Sequence, residues 1–222
     1  MADAPTPDDA LPPYQGLTLA EVRMVRTPED AAAALAAMAQ ADAIGFDTES
    51  KPTFRKGEVS TGPHLVQLAD DRHAWLFQIG ALDAGAGAAS PALAALRVLL
   101  ESPAVLKVGF GLGDDVRRLR TKLGIDTANV LDLATALRRG ERNAWGAKTA
   151  VERFFGQRLQ KSRRITTTNW AMPRLSDKQI LYAADDAHVA LRIYRHWRTQ
   201  VQPGQAPASA PERTGRRVEP QD

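Results

Sequence analysis

Three places in this 222-residue chain set acidic side chains where they could do chemistry. The stretch IGFDTES, Ile44 to Ser50, puts Asp47 and Glu49 at the end of a strand pattern. Alternation sends Ile44, Phe46 and Thr48 to one face and Ala43, Gly45, Asp47 and Glu49 to the other. Two acids on one strand face repel and resist burial. Asp114 and Asp115 follow the glycine-rich turn GFGLG, and Tyr182 and Asp186 stand four apart on one face of a helix. A strand end, a loop beyond a neighbouring strand and a helix packed across the sheet can converge at one sheet edge. Such an oxygen-only cluster suits hard cations, Mg²⁺ or Mn²⁺. Two ions about 3.5–4 Å apart would activate a water and stabilise the leaving oxygen of a phosphodiester. Each piece also has a plainer reading. The strand pair could be exposed and structural, Asp114 or Asp115 could satisfy free N–H groups at a helix start, and Tyr182 with Asp186 could be a helix-surface pair. For Asp114 the helix-start role is preferred.

The elements that would position these groups follow from periodicity and punctuation. TPED predicts a helix over about 27–40, with Thr27 as N-cap, Pro28 at the first helical position and Asp30 at the third. Strands are expected over about 43–48, 64–69 and 74–79, the last two joined by a polar turn at Asp70-Asp71-Arg72. A helix over 91–101, a short strand over 104–108, a helix over about 114–122 and a strand at 129–131 come next. In SDKQ, Ser176 and Gln179 form a capping box that opens the last helix, with a stripe of Ile180, Ala184, Ala187, Leu191 and Tyr194. Early strands followed by strands alternating with helices predict an α/β domain with a mixed sheet covered by helices.

Composition bounds the rest. Apolar and charged fractions of 44% and 25% are those of a globular protein. The absence of cysteine excludes disulfides and thiolate metal sites. No run reaches the roughly 18 apolar residues of a membrane span. The N-terminus lacks a basic-then-apolar signal pattern, so a cytoplasmic protein is expected. Residues 1–16 and 201–222 read as disordered tails around one domain over 17–200. The net charge is +3. Between Val151 and Arg174, six basic residues face a single acid, Glu152; a solvated basic face and a nucleic-acid contact are both compatible with that.

GFDTES, KVGFGLGDDVRRL and YAADDA, in this order and spacing, resemble the three motifs of the DEDD 3′–5′ exonucleases, in the RNase D and Werner-type group. KSRRITTTNW and RLSDKQILYAADDAHVALRIY look like the family's C-terminal stretch, and the resemblance covers about Leu17 to Arg198. It implies an RNase H-like (DnaQ-like) fold with a mixed five-stranded sheet flanked by helices. It also implies metal-dependent removal of nucleoside 5′-monophosphates from a single-stranded 3′ end of RNA or DNA, by a two-metal-ion mechanism with Mg²⁺ or Mn²⁺. Neither a membrane nor a nicotinamide or flavin cofactor is expected.

Carried over residue by residue, the resemblance makes Asp47, Glu49, Asp115 and Asp186 the metal ligands. Asp115 is chosen because Leu119 follows four residues later. Tyr182 then orients the attacking water; the sister subgroup has a histidine five before the last aspartate, where this chain has Leu181, so the tyrosine subgroup (DEDDy) is expected. A tyrosine hydroxyl with pKa near 10 is a poor base at neutral pH but can position a water. Lys161, Arg163 and Arg164 are candidate phosphate contacts. Lys51, Arg55 and Lys56 are placed at the substrate entrance, and Phe110 or Met172 against the terminal base, with a core or rim role open for each. Trp170 could simply pack. His64, His73, His188 and His196 show no ligand spacing and read as structural or exposed. Ser50 stands where some relatives have an aromatic residue, which leaves substrate contacts open.

Two other readings compete. GFGLG between a strand and a helix, with Asp132 nineteen residues on, resembles a nucleotide-binding turn. The G-x-G-x-x-G spacing is missing, and Asp132 is better placed to cap the following helix. A catalytically silent exonuclease fold that only binds nucleic acid or protein is the other. RNA and DNA are not distinguished by any motif.

Overall fold

The computed structural model describes residues 11–53, 57–58, 61–79, 90–138 and 143–200. Its sheet has six strands: β1 (Val22–Val25), β2 (Ala43–Glu49), β3 (Leu65–Ala69), β4 (Ala74–Gln78), β5 (Leu106–Gly109) and β6 (Val130–Asp132). Their order is β1-β4-β3-β2-β5-β6. The hairpin strands β3 and β4 are antiparallel to each other, and β3 to β2, while β1 joins β4, and β5 and β6 follow β2, in parallel. The five-stranded expectation is therefore corrected: VRMV adds an edge strand whose pairing with β4 is a long-range contact that no local pattern announces.

The α-helices are α1 (Pro28–Met38), α2 (Pro91–Glu101), α3 (Gly113–Arg118), α4 (Leu133–Ala136), α5 (Ala147–Phe155), α6 (Arg163–Thr166) and α7 (Asp177–Gln200); a 3₁₀ turn at Leu19–Glu21 precedes β1, and a π-helical turn at Leu119–Leu123 extends α3. The Thr27 hydroxyl accepts from Asp30 N–H at 3.1 Å, which fixes the start of α1 as predicted. Helices α1 and α2 cover one face of the sheet around Ile44, Phe46, Val66, Leu68 and Phe77. The other face holds Gly45, Asp47, Leu65, Gln67 and Ala69, and α7 lies across it. Ser176 and Gln179 form the expected box, with Ser176 N–H donating to Gln179 Oε1 at 3.0 Å. Beyond the predicted stripe, α7 also buries Val189, Ala190, Ile193 and Trp197, because α5 packs along its flank.

Small residues set how closely α7 approaches. A Cβ on Gly45 would lie 2.0 Å from the backbone oxygen of Ala187, so glycine there lets helix and strand backbones nearly touch. Residues 11–16 do not behave as the expected tail. Tyr14 N–H donates to Arg158 O at 2.9 Å, its ring stacks on Phe155, and Arg192 donates to its hydroxyl at 3.0 Å. Residues 1–10 and 201–222 lie outside the described part. Among the described residues no helix is long and apolar enough to cross a membrane.

Candidate active site

Strand β2 and helix α7 build the centre. Carboxylate oxygens of Asp47, Glu49 and Asp186 all lie within 4.8 Å of one another. The close packing at Gly45 and Ala187 brings this about, since Asp47 is two residues beyond the one and Asp186 immediately precedes the other. Asp115, on α3 just past β5, is buried beside this trio and accepts a short hydrogen bond from the Thr48 hydroxyl. Asp114 faces solvent and pairs with Arg117 at 2.8 Å, so of the two adjacent acids only Asp115 joins the centre.

The electrostatics follow from crowding. Burial, then the charges of Asp186, Asp115 and Glu49, push the Asp47 carboxyl well above its ordinary range. Burial, followed by Asp186, lifts Glu49 to about 8. Burial raises Asp115 against the opposing Thr48 hydrogen bond. Asp186 is raised by burial, opposed by the nearby Lys161 and Tyr182. The Lys161 ammonium stands 2.7 Å from Asp186 Oδ1; burial would lower its pKa, but Asp186 holds it above the ordinary value. Four acids with so little positive charge form a centre that is short of cations. The donor set, all oxygen and within a few ångströms, fits hard divalent ions.

Tyr182 lies on α7 one turn before Asp186, and its hydroxyl is 2.9 Å from Thr166 Oγ1 of α6. Burial, with Asp186 next, pushes its pKa up to about 12. Trp170 is fully buried, 6.0 Å from the Tyr182 ring, and its indole N–H donates to Thr166 O at 3.3 Å. It therefore packs, and in doing so supports the α6 segment against Tyr182.

The remaining sequence candidates lie around this centre. Lys51 is exposed next to Ser50, with its N–H donating to His64 Nδ1 at 3.1 Å. Phe110 packs against the α5–α7 cluster, Met172 is exposed, and Arg164 is exposed on α6. Arg163 opens α6, but its side chain, like Arg55 and Lys56, lies outside the described part. None of the four histidines joins the acids: His64 binds Thr61, His73 lies 3.5 Å from Asp70, His196 meets Phe154 and Phe155, and His188 is buried on α7. The nucleotide-turn reading fails on geometry. Asp132 caps α4 through Ala134 N–H and accepts from Gly111 and Leu112 N–H, so the turn's own donors are occupied.

Three features escaped sequence reasoning. Thr48 was legible only as a hydroxyl between two acids. Gln67, opposite Asp47 in the β2–β3 ladder, is fully buried with neither amide atom hydrogen-bonded among the described residues; its signal was one polar residue in the apolar run LVQLA. The Lys161–Asp186 pair spans 25 positions and left no local trace.

Residues 22–202 match the 3′–5′ exonuclease family. An Arabidopsis thaliana 3′–5′ exonuclease is 29% identical over 158 residues, covering 68% of this chain and 51% of its own length. The mouse bifunctional 3′–5′ exonuclease/ATP-dependent helicase WRN is 26% identical over 160 residues, covering 71% of this chain and 11% of its own length. This chain thus spans about half the length of the first relative and about a tenth of the second. The Aedes aegypti Nibbler EXO domain has the same fold, with a TM-score of 0.70, 24% identity, and coverage of 85% of this chain and 93% of that domain. With the family match spanning most of a chain whose acids converge at the C-terminal end of β2, the chain belongs to the 3′–5′ exonuclease family.

Proposed function

We propose that the chain removes nucleotides one at a time from single-stranded 3′ ends, hydrolysing the terminal phosphodiester and releasing nucleoside 5′-monophosphates. The observation that carries this reading is the convergence of Asp47, Glu49 and Asp186, with Asp115 beside them and Tyr182 one turn away on the same helix as Asp186. Asp47, Glu49, Asp115 and Asp186 would hold two divalent ions, Mg²⁺ or Mn²⁺. Bound there, the ions supply activation of a water and stabilisation of the leaving oxygen.

The chain's own groups do the rest. Tyr182, with its pKa at about 12, keeps its proton at neutral pH and orients the water by hydrogen bonding. Thr166 holds that hydroxyl in place. This is the role expected of the tyrosine subgroup. Lys51, Lys161, Arg163 and Arg164 receive backbone phosphates, and Phe110 lines the approach of the terminal base.

The test is a time course on 5′-labelled single-stranded RNA and DNA of one sequence, with Mg²⁺, with Mn²⁺ and with chelator, beside an Asp47→Ala/Glu49→Ala control. Shortening from the 3′ end, lost in chelator and in the control, supports the reading and reveals the preferred sugar. Intact strands from folded, metal-loaded protein refute it.

A further inference from the structure

Lys161 occupies an unusual position. Its ammonium sits 2.7 Å from Asp186 Oδ1 and 5.8 Å from the centre of the Tyr182 ring, so the acidic centre holds it as a direct ion-pair partner. Its side chain is 31% exposed whereas that of Asp186 is 6% exposed, so the pair reaches from the buried centre to solvent. On its outer side Lys161 lines a cleft of about 690 Å³ with Lys148, Thr149, Glu152, Gln157, Gln160 and Ser162, so the groove carries one acid beside its basic and neutral polar groups. The residue is thus a shared wall between the carboxylates and a polar groove.

Charge decides what this position means. Ionised Asp47, Glu49, Asp115 and Asp186 carry four negative charges, which a single ammonium cannot balance. Two divalent ions balance them in full and leave the ammonium without an anionic partner among these four acids. A phosphodiester supplies one negative charge, and a lysine stem has the length and rotational freedom to turn from one oxygen to another.

We propose that Lys161 is an internal cation that competes with the divalent ion for Asp186, and that metal loading transfers its ammonium to a substrate phosphate at the mouth of the adjoining cleft. This rests on the exonuclease reading above and adds an order to it. Metal-free protein keeps Lys161 on its own carboxylate, and loaded protein offers it to the strand. No covalent bond changes in this step; one ion pair is exchanged for another.

The test compares the wild type with Lys161→Met, which keeps the stem and removes the charge, and with Lys161→Arg, which keeps the charge. Far-UV circular dichroism checks folding. Mn²⁺ binding without nucleic acid is measured calorimetrically at fixed pH. The proposal expects Lys161→Met to bind Mn²⁺ about three- to tenfold more tightly than the wild type, and Lys161→Arg to stay near the wild type. Binding of a single-stranded oligonucleotide with a non-hydrolysable 3′-terminal phosphonate is then followed against salt. With Mn²⁺, the slope of log K against log salt should be shallower in Lys161→Met by about 0.7, one phosphate contact. In chelator the slopes should coincide.

Equal or weaker Mn²⁺ binding by Lys161→Met overturns the competition. A slope difference that is the same with and without Mn²⁺ overturns the transfer and leaves Lys161 as an ordinary phosphate contact. If the wild type binds Mn²⁺ but leaves unmodified strands intact, the exonuclease reading fails while the metal comparison still decides the competition. If no protein binds Mn²⁺, both fall.

Discussion

The Thr48 hydroxyl donates to the buried Asp115 carboxylate, so the residue between the two acids of β2 reaches a third acid on α3. Thr48 points to the sheet face opposite Asp47, and its bond links the strand that carries Asp47 and Glu49 to the helix that carries Asp115. Three of the four proposed metal ligands thereby share one strand's geometry.

Replacing Thr48 by valine keeps the shape and deletes that donor. The Asp115 carboxylate then loses a partner that favours its ionised form. Loss of such an orienting contact typically costs 10–100-fold in metal affinity or activity, so Thr48→Val is expected to lose roughly that much. Thr48→Ser should retain most of it. Steady-state rates at several Mn²⁺ concentrations check this; the valine loss should shrink as the metal is raised. A Thr48→Val enzyme with unchanged metal dependence would mean the bond does not orient Asp115 for metal.

Tyr182→Phe separates water positioning from proton removal. The hydroxyl pKa lies at about 12, set first by burial and then by Asp186. It stays protonated throughout the working range, so its loss should lower kcat by about a hundredfold through misplacement of the reacting water. Mn²⁺ affinity should not change, and the pH–rate profile should keep its shape. Disappearance of an alkaline limb in the phenylalanine variant would instead assign Tyr182 as the base.

Much of this arrangement was readable in the chain, and the limits are physical. Strand β2 showed as a short apolar run ending in two acids, the start of α7 through Ser176 and Gln179, and the Asp132 cap through its place before a helix. Those signals are local. Strand β1 went unseen because VRMV is short and exists by pairing with β4 across 48 intervening residues. Asp186 could be placed on a helix face, but not Lys161 against it, because the turn that folds 156–162 back over α7 is decided by tertiary packing. Gln67 could be read as strand, yet its burial opposite Asp47 depends on where α7 lies.

Glu49 makes the metal-free protein's stability depend on pH. Its carboxyl ionises near 4.5 in the unfolded chain but at about 8 in the fold, because of burial and then Asp186. The stability gained from holding that proton is complete below 4.5, falls as pH rises, and is gone above about 8. Metal binding needs the ionised ligands, so it releases protons and tightens over the same window. In chelator, Tm should therefore fall between about pH 5 and pH 8, and the gain in Tm from saturating Mn²⁺ should grow across it. Thermal unfolding with and without metal checks both. Glu49→Gln should flatten the chelator curve; an equally steep curve in that variant would assign the pH dependence to other groups.

Gly45 couples stability to the site. A methyl there would meet the Ala187 backbone oxygen at 2.0 Å and its carbonyl carbon at 2.7 Å. Backbone atoms of a well-packed helix cannot rotate away as a side chain can, so α7 must lift from β2. Overpacking of this kind costs about 1–3 kcal/mol. The same displacement moves Asp186 away from Asp47 and Glu49, so Gly45→Ala should also weaken Mn²⁺ binding and lower activity beyond what the stability loss explains. Adding Ala187→Gly should rescue neither, because the clash is with the backbone of residue 187 and not its methyl group. Denaturant unfolding and Mn²⁺ calorimetry on the single and double variants decide the point. Rescue by the second substitution would show that side-chain volume, and not the approach of the two backbones, sets the spacing of the acids.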